Sequence, residues 1–142
     1  MTSIETIEQR LVDVKSTIAK TLQDTGRREG AVNLVAVSKT HGPDAIVAAL
    51  KAGQKIFGEN RVQEAEAKWP DLKQSHPEAQ LHLIGPLQRN KAALAVSLFD
   101  VIETIDRLKL ATALVRHMDE IGRRPNCFIQ VNTGEESQKA GI

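Results

Sequence analysis

Lys39 is the residue of this sequence whose type and position point most directly to chemistry. It follows a short apolar run and shares strand parity with Val35 and Val37, so it should face the same side as two apolar residues. A lysine there must reach solvent, pair with a carboxylate or lose its proton, because desolvation disfavours the ammonium form. A neutral amine attacks aldehydes. The residues alone leave open a Schiff-base lysine, a snorkelling lysine and a structural ion pair.

Three further residues lie in or near predicted strands, and each has a structural alternative. Asn60 is able to hydrogen-bond a ligand or to cap the helix that follows it. His82 lies inside a strand, where it is either a catalytic or a hydrogen-bonded core histidine. Gly85 precedes Pro86, and it either allows the backbone to approach a ligand closely or only shapes a turn. Glu59 is interpreted as a solvated carboxylate.

A regular alternation of strands and helices positions these residues. Apolar residues at steps of three or four predict a first helix within residues 1–26, with Thr2 and Glu5 at capping-box spacing and Gly26 at its end. Apolar runs rich in β-branched residues then predict five strands. The predicted strands are 33–38, 55–58, 81–84, 100–104 and 127–131, and the later helices are 43–52, 61–68 (closed by Trp69 and Pro70), 90–97 and 108–121. Residues 132–142 are interpreted as a loop entering another helix.

This alternation predicts an α/β fold with a parallel sheet. Periodicity leaves two architectures open, an open doubly wound sheet and a (β/α) barrel. The first strand is not followed by G-x-G-x-x-G, and G-x-x-x-x-G-K-[ST] occurs nowhere, so the commonest nucleotide-binding signatures of open sheets are absent. In both architectures ligands bind at the carboxyl ends of the strands, where Lys39, Asn60 and Gly85 are expected to meet.

Composition argues against several classes of function. The 142 residues fit one domain, and a net charge of +1 with three Phe, one Trp and no Tyr gives little material for a nucleic-acid surface. The only cysteine, Cys127, cannot form an internal disulfide, which suits a reducing compartment. The histidines have no metal-ligand spacing, and no stretch is apolar enough for a membrane helix. We expect a cytoplasmic protein without metal, nucleic-acid or membrane partners.

Five segments together resemble a known family. They are LVAVSKT at 34–40, FGENRVQE at 57–64, HLIGPLQRNK at 82–91, TIDR at 104–107 and VNTGEESQKAGI at 131–142. In this order and spacing they are similar to the pyridoxal phosphate homeostasis proteins, single-domain relatives of the alanine racemase barrel. The resemblance extends from the first helix to the last residue.

The resemblance implies a TIM-type (β/α)₈ barrel with the cofactor at its C-terminal mouth. Lys39 would hold pyridoxal 5'-phosphate as a Schiff base, and Asn60 would line the pocket. His82 and Gly85 would lie near the ring, and Lys139 would be a second lysine close to the mouth. Residues 1–142 would form a single, truncated domain of five βα units, in which 1–26 is a preceding helix and 33–142 hold the units.

The function implied by the resemblance is that of a carrier or regulator of pyridoxal phosphate, with no catalytic residue assigned and with pyridoxal-phosphate-dependent apo-enzymes as candidate partners. A racemase or decarboxylase of the same fold is the first alternative, and a non-catalytic interaction module is the second. The family's phosphate donors come from the last barrel strands, which are absent here. We therefore expect the 142 residues alone to bind the cofactor weakly and to associate, whereas the full-length protein is expected to be a monomer.

Overall fold

The computed structural model describes residues 4–142, with side chains from residue 6 onward. The first helix, α1, spans Ile4–Asp24, as the apolar periodicity predicts. Ile7 on this helix packs against the core. Gly26 follows with a φ of 67°, the left-handed conformation that commonly ends a helix. The predicted capping box of Thr2 and Glu5 lies outside the described side chains.

Four βα units and a fifth strand follow α1, in the order that the sequence predicts. Most of their bounds differ from expectation by a few residues. The elements are β1 (Ala36–Val37), α2 (Pro43–Lys51), β2 (Ile56–Glu59), α3 (Val62–Ser75), β3 (Gln80–Leu83), a 3₁₀ turn (Arg89–Lys91), α4 (Ala92–Leu98), β4 (Val101–Ile105), α5 (Leu108–Ile121) and β5 (Asn126–Ile129).

The strand order decides between the two architectures. All five strands are parallel, and their order in the sheet is β1-β2-β3-β4-β5, the order of the chain. A doubly wound sheet reverses its strand order at a switch point, whereas a barrel adds each strand beside the previous one. Each helix also contacts the next one along the chain. The sheet is therefore a five-stranded part of a (β/α) barrel wall, and the predicted fold class is confirmed.

The hydrophobic core lies between the sheet and the layer of helices. Side chains on the helix-facing side of the strands pack there against the apolar faces of α3, α4 and α5. The rings of Phe57 and Trp69 lie 5.3 Å apart between centroids, in a tilted arrangement. The largest fully buried side chains include Trp69, Phe57, Phe99, Ile46, Leu81, Leu83 and Ile102.

Helix α3 differs from the prediction because it continues through Pro70 to Ser75. A proline inside a helix removes one hydrogen bond and crowds the carbonyl four residues earlier, which is that of Glu66. Pro70 is exposed, so water can hydrate this carbonyl, while Trp69 and Leu72 are buried on the opposite side. Burial of these two side chains holds the second half of the helix in place.

Two other segments also differ from the prediction. Strand β1 is two residues long instead of the six predicted, and within the described residues it has a ladder partner, β2, on one side only. Residues 132–142 form turns and no helix. The Asn132 side chain donates to the carbonyl of Glu136, and Ile142 donates from its N–H to Gln130, which folds this segment back on itself. No helix within residues 4–142 is long and apolar enough to cross a membrane.

Candidate functional site

The carboxyl ends of β1, β2 and β3 bring three predicted site residues to one edge of the sheet. The N–H of Ser38 donates to the carbonyl of Gly58 at 3.0 Å, which extends the β1–β2 ladder by one residue. Lys39 therefore leaves the sheet beside Asn60. The register of β3 against β2 brings Gly85 to the same edge.

Lys39 is exposed, and its ammonium has no hydrogen-bond or ion-pair partner among the described residues. Val37, which shares strand parity with Lys39, is itself 48% exposed, so this side of β1 is open to solvent. Of the three states considered for this lysine, the structure shows the one that reaches solvent. A primary amine is thus accessible to a ligand at the end of β1.

The residue after this lysine adopts an uncommon backbone conformation. Thr40 has a φ of 65°, in the left-handed region. For an L-residue this region costs about 1–2 kcal/mol, and a β-branched side chain makes it rarer still. Such a conformation persists only where the surrounding structure imposes it. The turn that carries Lys39 must therefore be held by contacts from elsewhere.

Those contacts converge on Lys68 of α3. Its ammonium donates to the carbonyls of Ser38 and His41, at 2.9 and 3.0 Å. It also lies 2.6 Å from a carboxylate oxygen of Glu59 and 3.2 Å from one of Glu64. The Lys68 side chain is only 10% exposed, so water screens these interactions little. One cation thus joins α3, β2 and the turn after β1.

Glu59 is fully buried, and its interpretation as a solvated carboxylate is wrong. Its side chain points to the helix-facing side of β2, as does that of Phe57. One carboxylate oxygen, Oε1, accepts from the Ser38 hydroxyl at 2.8 Å and from the Trp69 indole N–H at 3.1 Å, besides pairing with Lys68. The other oxygen, Oε2, has no hydrogen-bond partner among the described residues. Removing one member of such a buried pair costs about 3–5 kcal/mol.

Glu64 completes the contacts to the turn. Its carboxylate accepts a hydrogen bond of 2.5 Å from the backbone N–H of Thr40. This bond is the main reason why the pKa of Glu64 lies below its ordinary value. Partial desolvation opposes the shift, and the cations of Lys68 and Arg61 add to it. The carboxylate is therefore charged throughout the neutral range.

Gly85 and Asn60 are in direct backbone contact. A Cβ at Gly85 would lie 2.1 Å from the carbonyl oxygen of Asn60, so only glycine fits. The hydroxyl of Thr104 donates to the Gly85 carbonyl at 2.8 Å. Asn60 does not cap α3, because Arg61 occupies the N-cap position. The side-chain amide of Asn60 makes no hydrogen bond within the described residues. The amide is thus free to bind a ligand.

His82 lies on the inner face of the sheet. It is in register with Gly58 and Val101, and a Cβ at Gly58 would meet the side chain of Ile84 on the same face. Its Nδ1 is 2.6 Å from a carboxylate oxygen of Glu103. Its Nε2 is buried without a hydrogen-bond partner among the described residues. One ring nitrogen of His82 is therefore hydrogen-bonded and the other is not, within the described residues.

Lys139 is exposed in the turns that follow the carboxyl end of β5, which is four strands from β1 in the sheet order. Its backbone N–H donates to the carbonyl of Glu136 at 3.0 Å. A cavity of about 720 Å³ lies at the other end of the sheet, between α1 and the amino ends of β1 and β2. It does not contribute to the candidate site.

Comparison with known proteins identifies the family. Residues 15–142 match the family described as alanine racemase, N-terminal domain. The chain belongs to this family. The resemblance drawn from the sequence motifs is thereby confirmed for the family, and the sheet order described above agrees with the fold class that it implies.

Several relatives are similar to this chain over nearly the whole of its 142 residues. The pyridoxal phosphate homeostasis protein of Pasteurella multocida (strain Pm70) is 41% identical over 137 residues, which are 96% of this chain and 59% of the relative. The protein of the same name from Escherichia coli (strain K12) is 39% identical, with 96% and 58% covered. The chain thus spans about three fifths of the length of these curated relatives.

Solved structures of other proteins have a similar backbone. PipY of Synechococcus elongatus PCC7942, solved with pyridoxal phosphate bound, has a TM-score of 0.80 and 41% identity, with 95% of this chain and 57% of PipY covered. A protein described as unknown from Bifidobacterium adolescentis has a TM-score of 0.91 and 32% identity, with 97% and 59% covered. The described backbone is therefore shared by proteins of quite different sequence.

Sequence reasoning missed the residues that support the turn of residues 38–41. Lys68 carried one usable signal, because Glu64 precedes it by four residues and such pairs meet on a helix surface. Glu59 carried another, since it shares strand parity with the apolar Phe57. Glu103, which contacts His82 and not the turn, likewise shares strand parity with the apolar Val101 in β4. None of these local signals indicates which distant backbone atoms the side chains bind.

Proposed function

We propose that this chain binds pyridoxal phosphate at the carboxyl edge of its sheet, as a Schiff base on Lys39, and that it serves cytoplasmic homeostasis of this cofactor. The observation that carries the proposal is the ammonium of Lys39 at the end of β1, which is exposed and has no partner within residues 6–142. The names of the relatives and the pyridoxal phosphate bound to PipY support the choice of ligand. The fold supports its location, because barrels bind ligands at the carboxyl ends of their strands.

The residues present fit such a ligand. Pyridoxal phosphate supplies an aldehyde, with which a primary amine condenses to a carbon–nitrogen double bond while the carbonyl oxygen leaves as water. Lys39 offers the amine without first breaking an ion pair. Just after the neighbouring strand, Asn60 offers an amide that is unpaired among the described residues, and Gly85 lies beside it. On the inner face, the buried Nε2 of His82 has no hydrogen-bond partner among the same residues.

Borohydride trapping tests the assignment of the lysine. The chain is incubated with pyridoxal phosphate, reduced, digested and mapped by mass spectrometry, and we expect the label on the peptide that contains Lys39. Lys39→Ala should abolish it. The matched control is Lys51→Ala, which removes another exposed lysine at the far end of α2. Labelling at Lys91 or Lys139 with Lys39 unmodified would overturn the assignment.

We propose a carrier or regulator rather than a catalyst. The homeostasis name of the relatives supports this choice, whereas the family description and the inner-face pair of His82 and Glu103 favour a racemase or decarboxylase as the second candidate. Chiral chromatography of amino acids incubated with the cofactor-loaded chain separates the two. We expect no racemisation or decarboxylation approaching about 1 s⁻¹, the lower end of ordinary enzymes. Turnover at that rate, lost in His82→Gln, would establish the enzyme instead.

A carrier must also release its cofactor to acceptors, and we propose apo-enzymes that depend on pyridoxal phosphate as those acceptors. Schiff-base exchange with another lysine needs no further reactant, because one imine is replaced by another. We expect an apo-enzyme to regain activity from the loaded chain at least as fast as from free cofactor at the same total concentration. Recovery limited to the rate of spontaneous cofactor loss from the chain would contradict direct transfer.

A further inference from the structure

We propose that Lys68 is a positioning residue for Lys39: it holds the turn formed by residues 38–41 in the conformation that presents the Lys39 amine at the carboxyl edge. This inference rests on the proposed function insofar as Lys39 is the residue that binds the cofactor. It concerns α3, an element that contributes no residue to the predicted cofactor site.

The first support is the bridge that Lys68 makes across the turn. Its ammonium donates to the carbonyl of Ser38 on one side of Lys39 and to that of His41 on the other, at 2.9 and 3.0 Å. The N–H of His41 also donates to Ser38 at 3.1 Å, which closes the turn. A single cation therefore fixes the distance between the two ends of the segment.

The second support is that the carboxylates paired with Lys68 bind the same segment. Glu59 accepts from the Ser38 hydroxyl at 2.8 Å, and Glu64 accepts from the Thr40 N–H at 2.5 Å. Three of the four residues of the turn are thus bound by the group of Lys68 and its two carboxylates. The side chain of Lys39 has no hydrogen-bond or ion-pair partner among the described residues.

The third support is the backbone conformation of Thr40. Its positive φ of 65° is unfavourable for a β-branched residue and requires surroundings that impose it. The hydrogen bond from its N–H to Glu64 and the Lys68 bridge supply those surroundings. Without them we expect the turn to relax, and the Lys39 amine to lose its fixed direction.

A purely structural role for Lys68 would be to neutralise the buried Glu59. A control for the loss of a lysine from the same helix is Lys73, which pairs with Asp100 at the same distance, 2.6 Å, although Asp100 is less buried than Glu59 and also pairs with Arg123. Lys73 contacts no residue of the turn through a hydrogen bond or ion pair among the described residues. Lys68→Met and Lys73→Met both leave a carboxylate without its lysine, but only the first releases the turn.

Two measurements test the proposal on the whole 142-residue chain. The first is amide hydrogen exchange at Thr40 without cofactor, which we expect to be faster in Lys68→Met than in the wild type and unchanged in Lys73→Met. The second is the rate of borohydride-trapped labelling of Lys39 by pyridoxal phosphate. We expect it to fall at least about tenfold in Lys68→Met, since misplacement of a reacting group by 1 Å can cost about a hundredfold, and to stay within about twofold of the wild type in Lys73→Met.

A second pair of variants serves if Lys68→Met fails to fold. Glu64 is partly exposed, and Glu64→Ala removes the acceptor of the Thr40 N–H whereas Glu64→Gln keeps a carbonyl oxygen there. Exchange at Thr40 should be faster in Glu64→Ala and largely rescued in Glu64→Gln. A folded Lys68→Met or Glu64→Ala chain with wild-type exchange at Thr40 and wild-type labelling of Lys39 overturns the inference. If the wild type is labelled elsewhere than at Lys39, the proposed function fails, while faster Thr40 exchange in Lys68→Met still supports the hold on the turn.

Discussion

At the scale of single residues, the candidate site consists of an unpaired amine and a set of well-bonded neighbours. Lys39 is free, whereas Ser38, Thr40 and His41 around it are bound through side chains of β2 and α3. A reactive lysine needs both an accessible amine and a fixed backbone, because the amine must meet an aldehyde in a defined geometry. The division of contacts within this one turn provides both.

Protonation of Glu64 at acidic pH should weaken the contacts that hold the turn of residues 38–41. Because its pKa in the folded chain lies below the unfolded value of about 4.3, the carboxylate stabilises the fold above that pH, and this contribution is lost as the pH falls through the folded pKa. Titration by carboxyl ¹³C NMR, with the urea-unfolded chain as reference, measures the shift. The Thr40 amide resonance should move with the same midpoint, and a Glu64 midpoint at or above the unfolded one would contradict the prediction.

Gly85 should not tolerate a side chain. Gly85→Ala places a Cβ 2.1 Å from the Asn60 carbonyl oxygen, so the backbone of two neighbouring strand ends must shift. We expect a loss of about 1–3 kcal/mol in the free energy of unfolding, as is usual for overpacking. Urea denaturation measures it. Gly134→Ala is the control, because the nearest atom there is a flexible Glu136 side chain at 3.5 Å, and equal effects of the two substitutions would refute the explanation.

At the scale of elements, α3 does more than cover the sheet. It places Lys68 and Glu64 under the turn after β1, Trp69 on the buried Glu59, and Lys73 on Asp100. These contacts reach both ends of the strands from one helix. The continuity of α3 past Pro70 matters for this reason, since a helix ending at residue 68 would lose the second half of the contacts.

Pro70 should weaken α3 rather than end it. Pro70→Ala restores the N–H that can bond to the Glu66 carbonyl and removes the ring that crowds it, while the unfolded chain gains entropy. A proline inside a helix costs about 3 kcal/mol relative to alanine. Alanine makes the unfolded chain more flexible, which offsets about 1 kcal/mol of this, so we expect the free energy of unfolding to rise by roughly 2 kcal/mol. Pro43→Ala, at the first position of α2 where proline is favoured, should give no gain. Thermal and urea denaturation of both variants decide the matter, and a loss in Pro70→Ala would show that the proline is needed.

At the scale of the whole molecule, the sheet is well covered in its middle and exposed at its two outer strands, β1 and β5. The core side chains are almost fully buried, whereas every residue of β5 is exposed and Val37 on β1 is half exposed. Within the described residues β1 and β5 each have a neighbour on one side only. Unpaired parallel edges with apolar side chains favour pairing with other chains.

The 142-residue chain should therefore associate as its concentration rises. Ile129→Lys on β5 should reduce this association, because a lysine on an edge strand opposes edge-to-edge pairing. Leu108→Lys is the control: this residue is 82% exposed, more than the 69% of Ile129, but it lies on α5 and not on a strand. Multi-angle light scattering over a concentration series measures the mass. A monodisperse monomer in the wild type would refute the prediction, and equal effects of both lysines would refute the role of the edge.

The sequence by itself determined the succession of elements and the place of the candidate residues along it. Helix α5 has the predicted bounds, and Asn60 and Gly85 follow β2 and β3 as expected, because apolar periodicity and glycine or proline positions are local properties of the chain. The resemblance of five segments also identified the family correctly. Periodicity left the choice between a barrel and a doubly wound sheet open, since strand order is not encoded in the period of any one strand, and the barrel was implied by the resemblance alone.

Only the tertiary structure decided how the site is held. Lys68 binds carbonyls 27 and 30 residues away, Glu59 is buried rather than solvated, and Lys39 takes the solvent-exposed state among those that the sequence left open. Whether a charged side chain is buried depends on what covers its strand from elsewhere in the chain, and backbone carbonyls look alike in every sequence. The left-handed Thr40 has the same origin, because distant hydrogen bonds impose a conformation that its own side chain disfavours.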